Sequence, residues 1–184
     1  MYIVIGLLLA GMAFIFYQRQ LRAGIVYPAE NLTVTSTAFE NGGAIPVGFT
    51  GRGEDISPDL SFGPLDGKAQ SIAILMDDID HPIGAYNHWI IFDIPASIHF
   101  VPESVQKGET VASLGNAVQG RSDYGGKHWY RGPKPPFGTH RYVFRVYVLD
   151  AYLKLDAGTN KAALLKAMEG HILQYGTLTG SFGN

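Results

Sequence analysis

The chain has no cysteine, which excludes disulfides, thiolate zinc sites and cysteine nucleophiles. It has no excess of either charge. Its 14 Lys and Arg against 16 Asp and Glu leave a formal −2, so the basic footprint that nucleic acid requires is missing. There is no internal repeat, no low-complexity block, and no GxSxG, HxH or HExxH, the spacings of a serine elbow and of common zinc sites. What is present is 23 glycines and 12% aromatics in 184 residues. That length suits one domain with a sizeable core, and the composition favours a loop-rich β protein.

Residues 2–17 (YIVIGLLLAGMAFIFY) are apolar without interruption and are followed by QRQLR. In a helix they span about 24 Å, slightly short of a hydrocarbon core of roughly 30 Å. Interfacial tyrosines and modest thinning of the bilayer cover the difference. No basic residue precedes the run and no small-x-small site follows it, which favours an uncleaved single-pass anchor over a cleaved signal segment. A buried core helix is disfavoured because no amphipathic face is visible. Arg19 and Arg22 vote for a cytoplasmic domain, with the periplasmic side as the alternative. The chain divides into an anchor or signal segment (1–17), a tether (18–30) and a domain (31–184).

From Leu32 the pattern becomes short apolar runs: LTVTSTAF, AIPVGFT, LSF, SIAILM, HWIIFDI and RYVFRVYVLD. Gly- and Pro-rich turns separate them. This predicts an all-β, antiparallel two-sheet sandwich with a few peripheral helices. SIAILM and HWIIFDI are apolar on both alternating faces, as in strands covered on each side. On RYVFRVYVLD, Tyr142, Phe144, Val146 and Val148 share one face. Arg141 and Arg145 share the other, where carboxylates or carbonyls are expected to pair them. One helix is predicted, capped at Thr159-Asn160 and carrying Ala162, Leu164, Leu165, Met168 and Ile172. The tail GTLTGSFGN reads as a last edge strand.

The chemistry gathers where DDIDHP (77–82) leads into NHWIIF and GPKPPFGTHRY (132–142) leads into VFRVY. If SIAILM runs toward Asp78 and both histidine-opened strands run antiparallel to it, then Asp78, His88 and His140 share one rim. Tyr142 lies two residues deeper on the His140 side. The 132–138 loop floors this rim. Its prolines lack donors, so the N–H groups of Gly132 and Gly138 are candidates to face a ligand. Such a set suits a phosphate, sulfate or carboxylate. Two histidines and an aspartate also form a facial metal set, a Ser-His-Asp triad can be drawn from Ser57 or Ser122, and His88 and His140 can act in general acid/base work. The spacings support neither metal nor triad. Asp77 and Asp80 read as turn and capping residues. Lys134-Pro135 or Pro135-Pro136 is a candidate cis bond.

These blocks together resemble the phosphatidylethanolamine-binding protein family, in particular its bacterial, Raf-kinase-inhibitor-like branch. The resemblance rests on NGGAIPVGFT, DISPDLSF (55–62), DIDHP (78–82) in place of DPDAP, His88-Trp89, GRSDYGG (120–126) and GPKPP…HRY. It implies a central antiparallel sheet packed on a second, and a small anion pocket formed by Asp78, His88, Gly132, Pro133, His140 and Tyr142. It also implies phosphate-bearing ligands: a lipid head group, a phosphorylated small molecule or a peptide. Ile79 stands in place of the usual proline, His81 in place of a small residue and Ser122 in place of asparagine, so the first loop offers an additional imidazole.

The expectation is a non-enzymatic binding protein with no cofactor and no resident metal, reaching a membrane through its N-terminal segment. The alternative is a protein-binding regulator, or an inhibitor of a kinase or serine protease, acting through surface loops such as 99–110 or 120–131.

Overall fold

The computed structural model describes residues 29–183; the hydrophobic segment and nearly all of the tether lie outside them. The tether's last residue, Glu30, is already docked, its Oε1 accepting from Thr177 N at 2.8 Å and Thr177 Oγ1 at 2.6 Å. Nine strands and one helix follow. The strands are β1 (Thr33–Thr35), β2 (Leu60–Gly63), β3 (Ser71–Asp78), β4 (Tyr86–Pro95) and β5 (Phe100–Val101). After them come β6 (Thr110–Val111), β7 (Ala117–Gln119), β8 (Thr139–Leu149), the helix α1 (Lys161–Met168) and β9 (Ile172–Gly183). Three strands form one sheet in the order β1-β2-β5, and six form the other as β6-β7-β4-β3-β8-β9. Every strand pair is antiparallel. Among the described residues no helix is long and apolar enough to cross a membrane.

The central strands are covered on both sides, as their two-faced apolar pattern predicts. Ile72, Ile74 and Met76 join Trp89, Tyr142, Phe144 and Val146 in a core that packs on Val34, Leu60 and Phe62 of the small sheet. Ala73 and Leu75 on the opposite face pack with Ile90, Phe92 and Tyr147 beneath Leu164 and Met168 of α1. Asn160 caps that helix by accepting from Ala163 N at 3.0 Å. The helix ends at Met168: Gly170, at φ +81°, turns the chain, and Ile172 begins β9 instead of closing a helical face. β9 is the edge strand expected for the tail, and it pairs with β8 along its whole length.

Several sequence expectations require correction. AIPVGFT is not a strand: only Ala44 makes a bridge, to Ser181, and Val47–Phe49 form a 3-10 turn. LTVTSTAF yields only the short β1, because Ser36 and Thr37 turn to donate to the buried Asp59 carboxylate. Among the described residues the helical content is one α-helix and two single 3-10 turns. Among the described residues the one cis peptide is Gly63-Pro64, outside the 132–138 loop.

Candidate functional site

Asp78, the last residue of β3, lies opposite Tyr86 on β4 and Tyr142 on β8. The ends of three strands therefore meet at one rim. Trp89 pairs with Met76 and Asn87 pairs with Asp77, so His88 between them is the extra residue of a β-bulge. A bulge re-aims a side chain that strict alternation would send to the other face. It brings the His88 ring edge-on to Tyr142, with centroids 5.4 Å apart.

Both rim histidines are anchored through Nδ1. His140 Nδ1 lies 2.7 Å from Asp78 Oδ2, and the other Asp78 oxygen accepts from Asp80 N at 3.0 Å. His88 Nδ1 lies 2.7 Å from Arg131 O. A carbonyl only accepts, so His88 carries its proton on Nδ1, and the Asp78 carboxylate holds His140 in the same tautomer. Each ring keeps Nε2 as its remaining polar atom. Arg131 is itself placed by Asp55, which accepts from the guanidinium at 2.7 Å and from Gly132 N at 2.6 Å.

Burial lowers the His88 pKa, and the Arg131 carbonyl and the nearby Asp78 carboxylate only partly offset this. His88 is thus neutral at pH 7. Burial and the Asp78 charge raise the Tyr142 phenol well above its ordinary value, so it stays protonated. The Tyr142 hydroxyl is buried without a hydrogen bond of ordinary geometry, as is Nδ1 of His81. Buried orphan polar atoms are rare and commonly mark a missing water or ligand.

These residues enclose a cavity of about 240 Å³. Asp78, His88, His140 and Tyr142 line it, as the sequence predicts. So do His81, Tyr86, Tyr124, Lys134, Pro135 and Pro136. His81 stacks on Tyr86 with centroids 4.5 Å apart. The tyrosine in turn donates to Asp123 O at 2.7 Å. Asp123 also binds Asn87 N at 2.8 Å, which holds the 120–126 segment against β4 and places Tyr124 over the cavity. Lys134 is the only lysine or arginine among the lining residues, and Asp78 the only acid. Ile83 and Phe137, on the loops that carry His81 and Lys134, are the most exposed large apolar side chains among the described residues.

Gly132 and Pro133 do not line the cavity. The Gly132 N–H is spent on Asp55, and a Cβ there would meet Phe49 O at 2.5 Å. The Pro133 carbonyl accepts from Gly51 N at 2.9 Å. These two residues fasten the loop to the 48–55 turn, and Lys134, Pro135 and Pro136 form the wall. Gly138 is exposed. His81 was legible as a departure from DPDAP; Tyr86, Tyr124 and Lys134 carried no comparable signal.

Asp77 is also more than a turn residue. Fully buried behind the rim, it accepts from Arg145, from Lys161 Nζ at 2.8 Å and from Asn87 Nδ2 at 3.0 Å. Arg141 takes Asp80 as a bidentate partner at 2.7 and 2.8 Å. Both arginines of β8 thus find carboxylates, the half-buried Arg145 in Asp77 and the exposed Arg141 in Asp80. Ser57 Oγ accepts from Val105 N at 3.0 Å. Ser57 lines a second cavity, of about 230 Å³, among whose lining residues there is no histidine. Ser122 is not among the lining residues of either cavity. Among the described residues no group of three His, Asp or Glu is arranged to hold a metal ion.

The phosphatidylethanolamine-binding protein family model matches residues 35–183, and the chain belongs to that family. It is similar to a UPF0098 protein of Archaeoglobus fulgidus, 46% identical over 154 residues that are 84% of this chain and 52% of the relative. The chain thus spans about half the length of that relative. It also resembles a UPF0098 protein of Methanothermobacter thermautotrophicus, 42% identical over 82% of this chain and 98% of the relative. Among solved structures it is similar to CT736 of Chlamydia trachomatis, described as a phosphatidylethanolamine-binding protein homologue. That likeness has a TM-score of 0.75 and 32% identity over 85% of this chain and 99% of that one. YbcL of Escherichia coli shares the fold, with a TM-score of 0.77 at 24% identity over 83% of this chain and 98% of that one. The bacterial branch fits these relatives.

Proposed function

We propose that this protein is a non-enzymatic binding protein whose rim cavity takes the phosphate of a lipid head group, a phosphorylated small molecule or a peptide. The observation that carries the reading is the shared tautomer of His88 and His140. Each Nδ1 is tied to a fixed acceptor, so each Nε2 offers a hydrogen bond to an anion only when the ring gains a proton. Anion and proton then bind together, and the anion stabilises the His88 imidazolium that burial disfavours. Lys134 supplies a standing positive charge, and the buried Tyr142 hydroxyl a neutral donor. The apolar segment at 2–17 tethers the domain to a membrane, with the cytoplasmic face favoured by Arg19 and Arg22.

The test is titration of inorganic phosphate, followed by phosphorus NMR or calorimetry. Affinity is expected to rise as pH falls from 8 to 6, and replacing both His88 and His140 with alanine is expected to abolish binding. Binding that ignores both pH and the double substitution sinks the proposal. The same variant addresses the alternative, a protein-binding regulator or inhibitor: retained capture of a protein partner would point to loops 99–110 or 120–131. Tyr124 makes the second of these segments part of the cavity wall, which ties that surface to the pocket.

A further inference from the structure

We propose that His81 is a third ligand-binding imidazole and that it makes the cavity selective for phosphomonoesters over phosphodiesters. This rests on the phosphate reading above and narrows it. The titratable groups facing the cavity are one carboxylate, Asp78, one ammonium, Lys134, three imidazoles, of His81, His88 and His140, and the phenols of Tyr86, Tyr124 and Tyr142. Arg131 is close by, over the Tyr124 ring at 5.0 Å, but its charge is taken by Asp55 at 2.7 Å. Asp80 is taken by Arg141.

The ligand's oxygens and charge decide between the esters. The cavity's single carboxylate, Asp78, is already engaged by His140 Nδ1 at 2.7 Å. The Lys134 ammonium and the imidazoles of His81, His88 and His140 are left to meet a ligand. A phosphomonoester carries close to two negative charges at neutral pH on three terminal oxygens. A phosphodiester has one charge and two terminal oxygens, so it leaves one imidazole without a counterpart. A monoester presents three terminal oxygens to three imidazoles.

His81 is held for such a role. Its ring is stacked on Tyr86, whose hydroxyl is fixed to Asp123 O, so little side-chain freedom remains to be lost on binding. A purely structural stacking residue would not need a nitrogen buried without a partner, yet His81 Nδ1 is one. Phenylalanine would stack equally well.

That comparison is the experiment. Phosphoethanolamine and glycerophosphoethanolamine share the same amine and differ as monoester and diester. Both are titrated calorimetrically at pH 7 into the full-length chain and into its His81→Phe and His81→Gln variants. The wild-type chain is expected to prefer the monoester by about tenfold, one charge-assisted hydrogen bond. His81→Phe is expected to remove most of that preference while leaving diester affinity within about twofold. His81→Gln, which keeps a neutral donor, is expected to fall between and guards against a misfolded phenylalanine variant. Equal affinities in the wild-type chain, or an unchanged preference in both variants, overturn the inference and leave the phosphate pocket standing. Failure of the wild-type chain to bind either ester or inorganic phosphate overturns the pocket itself, and this inference with it.

Discussion

A buried histidine whose Nδ1 donates to a main-chain carbonyl has only one way to greet an anion, and that way requires a proton. Burial keeps the His88 pKa in the folded chain below its ordinary value of 6.5, so the unfolded chain binds the proton more readily. Stability from this residue is therefore complete above about pH 6.5 and is lost as pH falls toward the depressed folded value. Thermal melts of the phosphate-free protein are expected to shift downward between pH 7.5 and 5.5. Saturating phosphate is expected to reverse part of that shift, because the anion favours the imidazolium. A melting temperature unmoved by pH without ligand would contradict the stated environment of His88. Tyr142 gives a second residue-scale prediction. Its hydroxyl is buried without a hydrogen bond of ordinary geometry, so Tyr142→Phe is expected to change the melting temperature little. Phosphate affinity should drop by about tenfold if that hydroxyl donates to the ligand. A stability loss without an affinity loss would assign it a purely structural role. Asp78, His88, His140 and Tyr142 were legible because each opens or ends an apolar run, which places it at a sheet rim. The competing use of the Gly132 N–H was not, because its acceptor Asp55 lies 77 positions away.

At the scale of elements, the pocket depends on what holds three strand ends in register. Asp77 does this from the opposite face, binding Arg145 of β8, Lys161 of α1 and Asn87 of β4 through one carboxylate. Removing one member of a buried charge cluster leaves the others uncompensated. Asp77→Asn is expected to cost roughly 3 kcal/mol, measured as a lower urea midpoint at an unchanged slope. A cost near zero would mean that the cluster is solvated in solution. The helix predicted from its cap and apolar spacing forms, but Leu164 and Met168 alone are its fully buried residues. Leu164→Ala should destabilise by about 2–4 kcal/mol, the range for a cavity left in a core. The end of that helix could not be read from spacing, since Ile172 fits a helical face and a strand equally well. Pairing with β8 decided it. Likewise AIPVGFT has a strand's composition, and its 3-10 turn exists because the chain must bend to meet Gly132 and Pro133.

For the whole molecule, the central sheet is buried on both faces, by the small sheet on one side and α1 on the other. The open ends of its strands are thereby left as places for chemistry. Whether the domain works at a membrane depends on residues 2–17, outside the described region. The full-length chain is expected to stay with membranes through a high-salt or alkaline wash, and a chain lacking residues 1–28 to be released. Release of both would remove the anchor from the proposal.

The sequence by itself determined the class: short two-faced apolar runs between Gly and Pro turns can bury themselves only as strands of stacked sheets. It also determined which rim would be polar, because Asp78, His88 and His140 stand at the ends of those runs. Tertiary structure decided the rest, since the deciding partners are distant in the chain. The bulge that turns His88 toward Tyr142 depends on register with β3. The nitrogen that each histidine offers depends on Arg131 and Asp78, and the loop residues that meet a ligand depend on Asp55 having claimed Gly132. Periodicity says which way a side chain faces; only packing says which of its atoms remain free.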